Sequence, residues 1–236
     1  MSGWAPRLLR LLLTPLFYLG AVAVGWTILT LPLCVDPRTV LWPAVAGFVT
    51  AEFFLLSGLR LVRLYVVGHE LTHWLAAKLC GRRTGRLRAE ASRGSIEVDD
   101  PNALIVLAPY FVPVYTLAWI GLYGVLRMAV ATIPDWGVAV FSAGLGATCA
   151  FHLTLTALAL QRGQDDLRLC GPVFSMGVVL FGNLVLAFLA LVVAGRLWGL
   201  AFGLLAQRLA DLWWLGCDLA AMTAALARRL TAGTAP

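Results

Sequence analysis

The sequence predicts an all-α polytopic membrane protein of about six transmembrane helices, with a short β-hairpin after the third helix and an amphipathic helix at the C-terminal end. Three observations carry that expectation. Of 236 residues, 61% are hydrophobic and only 13% charged, against about 45–50% and 25% in an ordinary soluble domain. A water-soluble fold of this size cannot hide so much apolar side chain in one core. Apolar runs of the ~20 residues needed to cross a ~30 Å hydrocarbon layer recur between short polar breaks. Between two of these runs, the segment 86–99 switches to a period of two, the mark of strands. The same composition excludes intrinsic disorder and a collagen-like repeat.

The first apolar run, 8–33, is closed by the turn Cys34-Val-Asp-Pro-Arg38. Followed through Val35, it is too long for a signal-peptide core and reads as a retained anchor. A second helix is expected over 40–57, ended by Gly58 and Arg60, and a third over 61–80. Gly81 suits the C-terminal cap of the third because it tolerates a left-handed backbone, and Arg82 and Arg83 complement the negative end of the helix dipole. In 86–99, Leu87, Ala89, Ala91, Ile96 and Val98 alternate with Arg88, Glu90, Glu97 and Asp99, and Ser92-Arg-Gly-Ser95 reads as the turn of a hairpin. Further helices are expected over 103–133, 136–160 and 172–198. The stretch 199–230 carries Arg208, Asp211, Asp218, Arg228 and Arg229, which are costly at the bilayer centre, so it reads as an interfacial amphipathic helix. With no repeat and no long linker, 1–236 is read as a single membrane domain.

The net charge of +6 is mostly a loop property. Lys78, Arg82, Arg83, Arg86, Arg88 and Arg93 fall in one stretch, as in a cytoplasmic juxtamembrane loop, and not on a basic face built for nucleic acid. Three crossings before that loop would put Arg7 and Arg10 on the opposite side of the membrane. The 5 cysteines are dispersed without a CxxC pair, which argues against both a disulfide framework and a thiolate metal site.

The third helix contains Gly68-His-Glu-Leu-Thr-His73, an HExxH pattern. Histidines four residues apart share one helical face, so His69 and His73 can reach one divalent ion while Glu70 stands beside it to take a proton from water. With 3 histidines in the chain, composition gives this pattern by chance roughly one time in a thousand. Glu and His within an apolar helix are costly and default to a functional reading. The structural alternative is a pair of satisfied core histidines beside a protonated glutamate.

A catalytic zinc takes three protein ligands and keeps a position for water. The third has to come from His152, Asp165 or Asp166. At 1.5 Å per residue, His73 and His152 both lie roughly 12–14 Å in from the ends of helices that point the same way. Asp165 and Asp166 lie in a polar break, and Gly171-Pro172 beyond it supplies an irregular helix start.

The HExxH helix, the basic period-two segment after it and the distant aspartate ahead of another apolar helix resemble the site-2 protease family of intramembrane zinc metallopeptidases. More narrowly, Asn102-Ala-Leu-Ile-Val-Leu-Ala-Pro-Tyr110, Phe151-His152, Gln164-Asp-Asp-Leu167 and Phe174-Ser175 resemble a compact bacterial branch of it without a PDZ domain. The resemblance runs over about 66–183. It implies a single Zn2+ held by His69, His73 and Asp166, with Glu70 as general base, although Asp166 is followed by Leu167 and not by the family's usual glycine. It also implies peptide-bond hydrolysis in a membrane-spanning protein or peptide, with the hairpin holding extended substrate, and a place in a bacterial cytoplasmic membrane. His152, when not a ligand, is expected to stabilise the oxyanion.

Two other classes compete with a protease: a membrane scaffold or regulator of the same fold without turnover, and an ion or proton transporter. The intact HExxH argues against the first. The missing internal repeat and paired broken helices argue against the second.

Overall fold

The computed structural model describes residues 4–58, 61–86, 88–89, 94–161 and 165–232. Helix α1 (Trp4–Thr30) runs through a 3-10 turn, Leu31–Cys34, to a one-turn π-helix, Pro37–Leu41, and helix α2 (Trp42–Leu56). Asp36 caps this start, its carboxylate accepting from the Arg38 and Thr39 backbone N–H groups at 3.0 and 2.7 Å. The Thr39 N–H bond holds the Asp36 carboxyl below the usual carboxylate range. Helix α3 (Val62–Leu79) follows, then strand fragments β1 (Arg88–Ala89) and β2 (Gly94–Ser95), the short helix α4 (Ala103–Leu107) and a 3-10 turn, Ala108–Tyr110. The rest is helical: α5 (Val114–Ala129), α6 (Asp135–Gln161), α7 (Asp165–Cys170), α8 (Pro172–Gly195) and α9 (Trp198–Ala232).

Among the described residues, five stretches are long and apolar enough to cross a membrane: Arg7–Cys34, Pro37–Leu56, Asp135–Gln161, Pro172–Gly195 and Trp198–Leu226. A sixth is the pair Ala103–Tyr110 and Val114–Ala129 if taken together. Their outer faces carry large bare side chains, with Leu11 71%, Leu33 87% and Met128 83% exposed. Surfaces of that kind are compatible with an integral membrane protein.

Three sequence expectations change. The run 103–133 is not one helix but two pieces bent by 77°. Pro109 and Pro113 bracket the break, and each removes a backbone donor that a continuous helix would need. Helix α3 is absent from the membrane-crossing set because Arg63, Glu70 and Lys78 interrupt its apolar character. The final stretch is one continuous helix containing a window apolar enough to cross, because Trp213, Trp214 and Leu215 separate its few charges.

The period-two segment also falls short of the expected hairpin. Among the described residues, which leave out 87 and 90–93, pairing is confined to Arg88↔Ser95 and Ala89↔Gly94, with a bridge at Thr84↔Val98. Gly94 and Ser95 therefore sit in the ladder and not in the turn. The register shifts by one residue between bridge and ladder, as at a β-bulge, which defeats a continuous alternation.

Packing follows small residues. Helices α2 and α6 lie backbone to backbone: a Cβ at Gly47 would run into the Ala143 carbonyl, and one at Gly146 into the Ala44 carbonyl. Such close approach is how helices associate where lipid cancels the hydrophobic drive. Glu52 accepts from the Thr154 hydroxyl across the same interface. Helix α5 returns along α6, with Trp119 donating to the Phe141 carbonyl at 2.9 Å and Tyr123 stacked on Phe141. Helix α1 lies along α8. Gly47→Leu should lower the thermal midpoint in detergent, the overpacking costing about 1–3 kcal/mol or more. Gly121→Ala, where a Cβ meets nothing within 4 Å, should leave the midpoint unchanged or raise it slightly, since alanine is the better helix former.

Candidate metal centre

Helix α3 turns one face into the bundle, burying Val66, Gly68, Glu70, Thr72, Ala76 and Ala77. Gly68 permits the approach of α5, because a Cβ there would lie 2.7 Å from the Tyr115 ring. The Tyr115 hydroxyl in turn donates to the Leu64 carbonyl at 2.5 Å. His69 and His73, one turn apart on this face, have ring centroids 4.9 Å apart and nearly perpendicular planes.

The two imidazoles are oriented from outside the helix and from within it. His73 Nδ1 lies 2.8 Å from the Ile105 carbonyl. A carbonyl only accepts, so Nδ1 carries the proton and Nε2 becomes the nitrogen with a lone pair for a metal, the usual outer support of a ligating histidine. Ile105 is fixed in turn by Asn102, whose Oδ1 caps α4 by accepting from the Ile105 N–H at 2.9 Å. The Asn102 amide also reaches Cys80 Sγ at the end of α3, at 3.5 Å. Tyr65, one turn before His69, brings its hydroxyl to 3.4 Å from His69 Nδ1. The fully buried Tyr110 ring meets His69 edge-on at 5.4 Å. The broken backbone there is held by Asn183, whose amide donates to the Tyr110 and Val179 carbonyls, each at 2.8 Å.

His152 of α6 comes to the same place. With His69, Tyr65, Gly68, Tyr115 and Phe151 it lines a cavity of about 20 Å³, room for one water. Its Nε2 is buried and finds no hydrogen-bond partner among the described residues. On its other side His152 shares a second small cavity with Asn183, Cys149 and Thr116.

Asp165 and Asp166 open α7, and their side chains lie outside what the structure describes. The neighbouring Leu167 packs, as Tyr65 does, against the buried cluster of Tyr110, Ala159 and Val179, and the Tyr65 and Tyr110 rings flank His69. Helix α7 also packs on α4, which carries the Ile105 carbonyl. The backbone that bears Asp166 thus adjoins the elements that hold Tyr110 and Ile105, the partners of the two histidines. Among the described residues no third His, Cys, Asp or Glu joins His69 and His73 in a group able to hold a metal. The donor set fits a zinc ion: two imidazoles on one face, one with its tautomer fixed, beside a buried carboxylate.

Sequence reasoning found His69, Glu70, His73 and His152 but not their supports. Tyr65 was available as the residue one helical turn before His69, Asn102 as a cap residue three before Ile105, and Asn183 as the one amide side chain of α8. The Ile105 carbonyl has no sequence signal, since every residue carries one.

Comparison with protein-family models, with curated proteins and with solved structures gives no match.

Proposed function

We propose that this chain is a zinc-dependent intramembrane endopeptidase of the site-2 protease type, acting on membrane-embedded or membrane-proximal peptide bonds in a bacterial cytoplasmic membrane. The observation that carries the reading is the His69–Glu70–His73 face with His73 Nδ1 anchored on the Ile105 carbonyl. His69, His73 and Asp166 would hold the ion. When bound, zinc supplies a Lewis acid that polarises a carbonyl and acidifies water.

The remaining work falls to the chain itself. Glu70, buried at the foot of the pair, takes the proton of the attacking water and returns it to the leaving amine. His152 lines the same cavity, and its buried, unpartnered Nε2 is the group that would donate to the carbonyl oxygen as charge develops on it. Tyr65, Tyr115 and Phe151 wall the cavity and exclude bulk water. The paired segment around Arg88–Ala89 and Gly94–Ser95 offers an edge to which an extended substrate can add as a strand.

Cleavage of a panel of membrane-spanning substrates by the purified chain in proteoliposomes tests the proposal. Activity should vanish on treatment with a zinc chelator and return on adding zinc. Cleavage that survives complete removal of metal would exclude the metallopeptidase.

A further inference from the structure

The end of the bundle that carries the histidine pair is also its basic end. Contacts fix which segments share it. Arg10 donates to the Cys170 carbonyl at 2.8 Å and Tyr18 to the Val173 carbonyl at 3.1 Å, so α1 and α8 begin side by side. Glu52 and Thr154 bring the C-terminal ends of α2 and α6 together, and α6 leads directly to α7 and the start of α8. Helix α3 stays at this end. Its Leu64 carbonyl meets Tyr115 at the beginning of α5, and its terminal Cys80 meets Asn102 beside α4, which packs on α7. Arg7 and Arg10 therefore share a side with residues 78–86 and 88–89, contrary to the count of three crossings.

The charge divides accordingly. Among the described residues, 4–10, 57–58, 61–63, 78–86, 88–89, 94–101 and 165–171 at this end hold nine of the 18 Lys and Arg, with five Asp and Glu. Segments 34–41, 127–137 and 195–199 at the opposite end hold three and two. Bare leucines stand beside the cations: Leu9 (57% exposed) next to Arg10, Leu79 (88%) next to Lys78, and Leu169 (66%) next to Arg168.

We infer that this end is a docking surface for the anionic headgroups of the leaflet in which it lies. The leucines enter the acyl boundary and the guanidinium groups meet the phosphates. The interleaved leucines select a lipid over a soluble acidic partner, which would leave them in water. Arg82 is available for exchange, because its 3.1 Å pair with Asp100 is exposed on both sides and such pairs are worth little. By the excess of Lys and Arg in short loops, the leaflet is the cytoplasmic one. The inference does not depend on peptidase activity.

The test uses the full chain in nanodiscs of phosphatidylcholine with and without phosphatidylglycerol, with co-purifying lipid read by native mass spectrometry. Phosphatidylglycerol should be retained preferentially and released by salt. The triple variant Arg82→Gln, Arg83→Gln, Arg86→Gln should reduce retention by roughly tenfold or more, while Arg38→Gln with Arg127→Gln at the other end should not. Equal retention of both lipids, or an equal effect from the two sets of substitutions, overturns the inference. So does an acidic peptide that displaces all of the retained phosphatidylglycerol. Single cysteines at positions 83 and 38 give a second reading: in intact cells an impermeant maleimide should label only Arg38→Cys, and labelling of Arg83→Cys overturns the assignment of the leaflet.

Discussion

Glu70→Gln is expected to bind zinc like the wild type and to lose cleavage by a factor of about 10²–10⁴, the usual worth of a positioned general base. The substitution keeps the shape of a side chain that is only 8% exposed and leaves untouched His73 Nδ1 on the Ile105 carbonyl and His69 Nδ1 beside the Tyr65 hydroxyl. An amide cannot accept the proton of an attacking water, so the loss should fall on kcat, with KM little changed. Single-turnover cleavage together with metal analysis of the same preparation reads both quantities. A Glu70→Gln protein that cleaves at the wild-type rate would remove Glu70 from the chemistry.

The second large effect separates ligand from oxyanion donor. Asp166→Asn should weaken zinc binding by two or more orders of magnitude and abolish cleavage, since an amide is a far poorer ligand than a carboxylate. His152→Ala should keep zinc and reduce kcat by about 10²–10³, as when one oxyanion donor is removed. The two residues approach the pair from different elements. The Asp166 backbone adjoins Leu167, which packs against the buried cluster that holds Tyr110, whereas His152 enters from α6 through the cavity shared with His69. If Asp166→Asn is silent and His152→Ala strips the metal, the roles are exchanged.

The part of the site legible in the sequence is the part fixed by local geometry. An i, i+4 histidine pair lies on one face of any helix, and the glutamate between them follows. His152 was reached by counting helix rise along the two helices, and it lines the cavity that His69 lines, although α3 is not among the helices apolar enough to cross. What escaped depends on tertiary breaks. The run 103–133 carries no charge before Arg127, and a proline inside an apolar helix often does no more than kink it. Only packing against α3 and the Asn183 amide turns Pro109 and Pro113 into a bend that aims the Ile105 carbonyl at His73. The same break bears on α3. Counted as a crossing, it set Arg7 and Arg10 against the basic loop; tied to Tyr115 and Asn102, and too charged to stand among the helices apolar enough to cross, it leaves them at the same end of the bundle. The period-two pattern of 86–99 speaks only of side chains, whereas pairing is set by backbone register, which a one-residue shift redirects.

The most direct test of the account is the zinc content of the purified wild-type chain beside that of His73→Ala. The wild type is predicted to carry a single tightly held zinc, and His73→Ala to lose it while keeping the helical content of the fold. A folded wild type that takes up no zinc when the metal is supplied would contradict the proposed centre and the peptidase built on it.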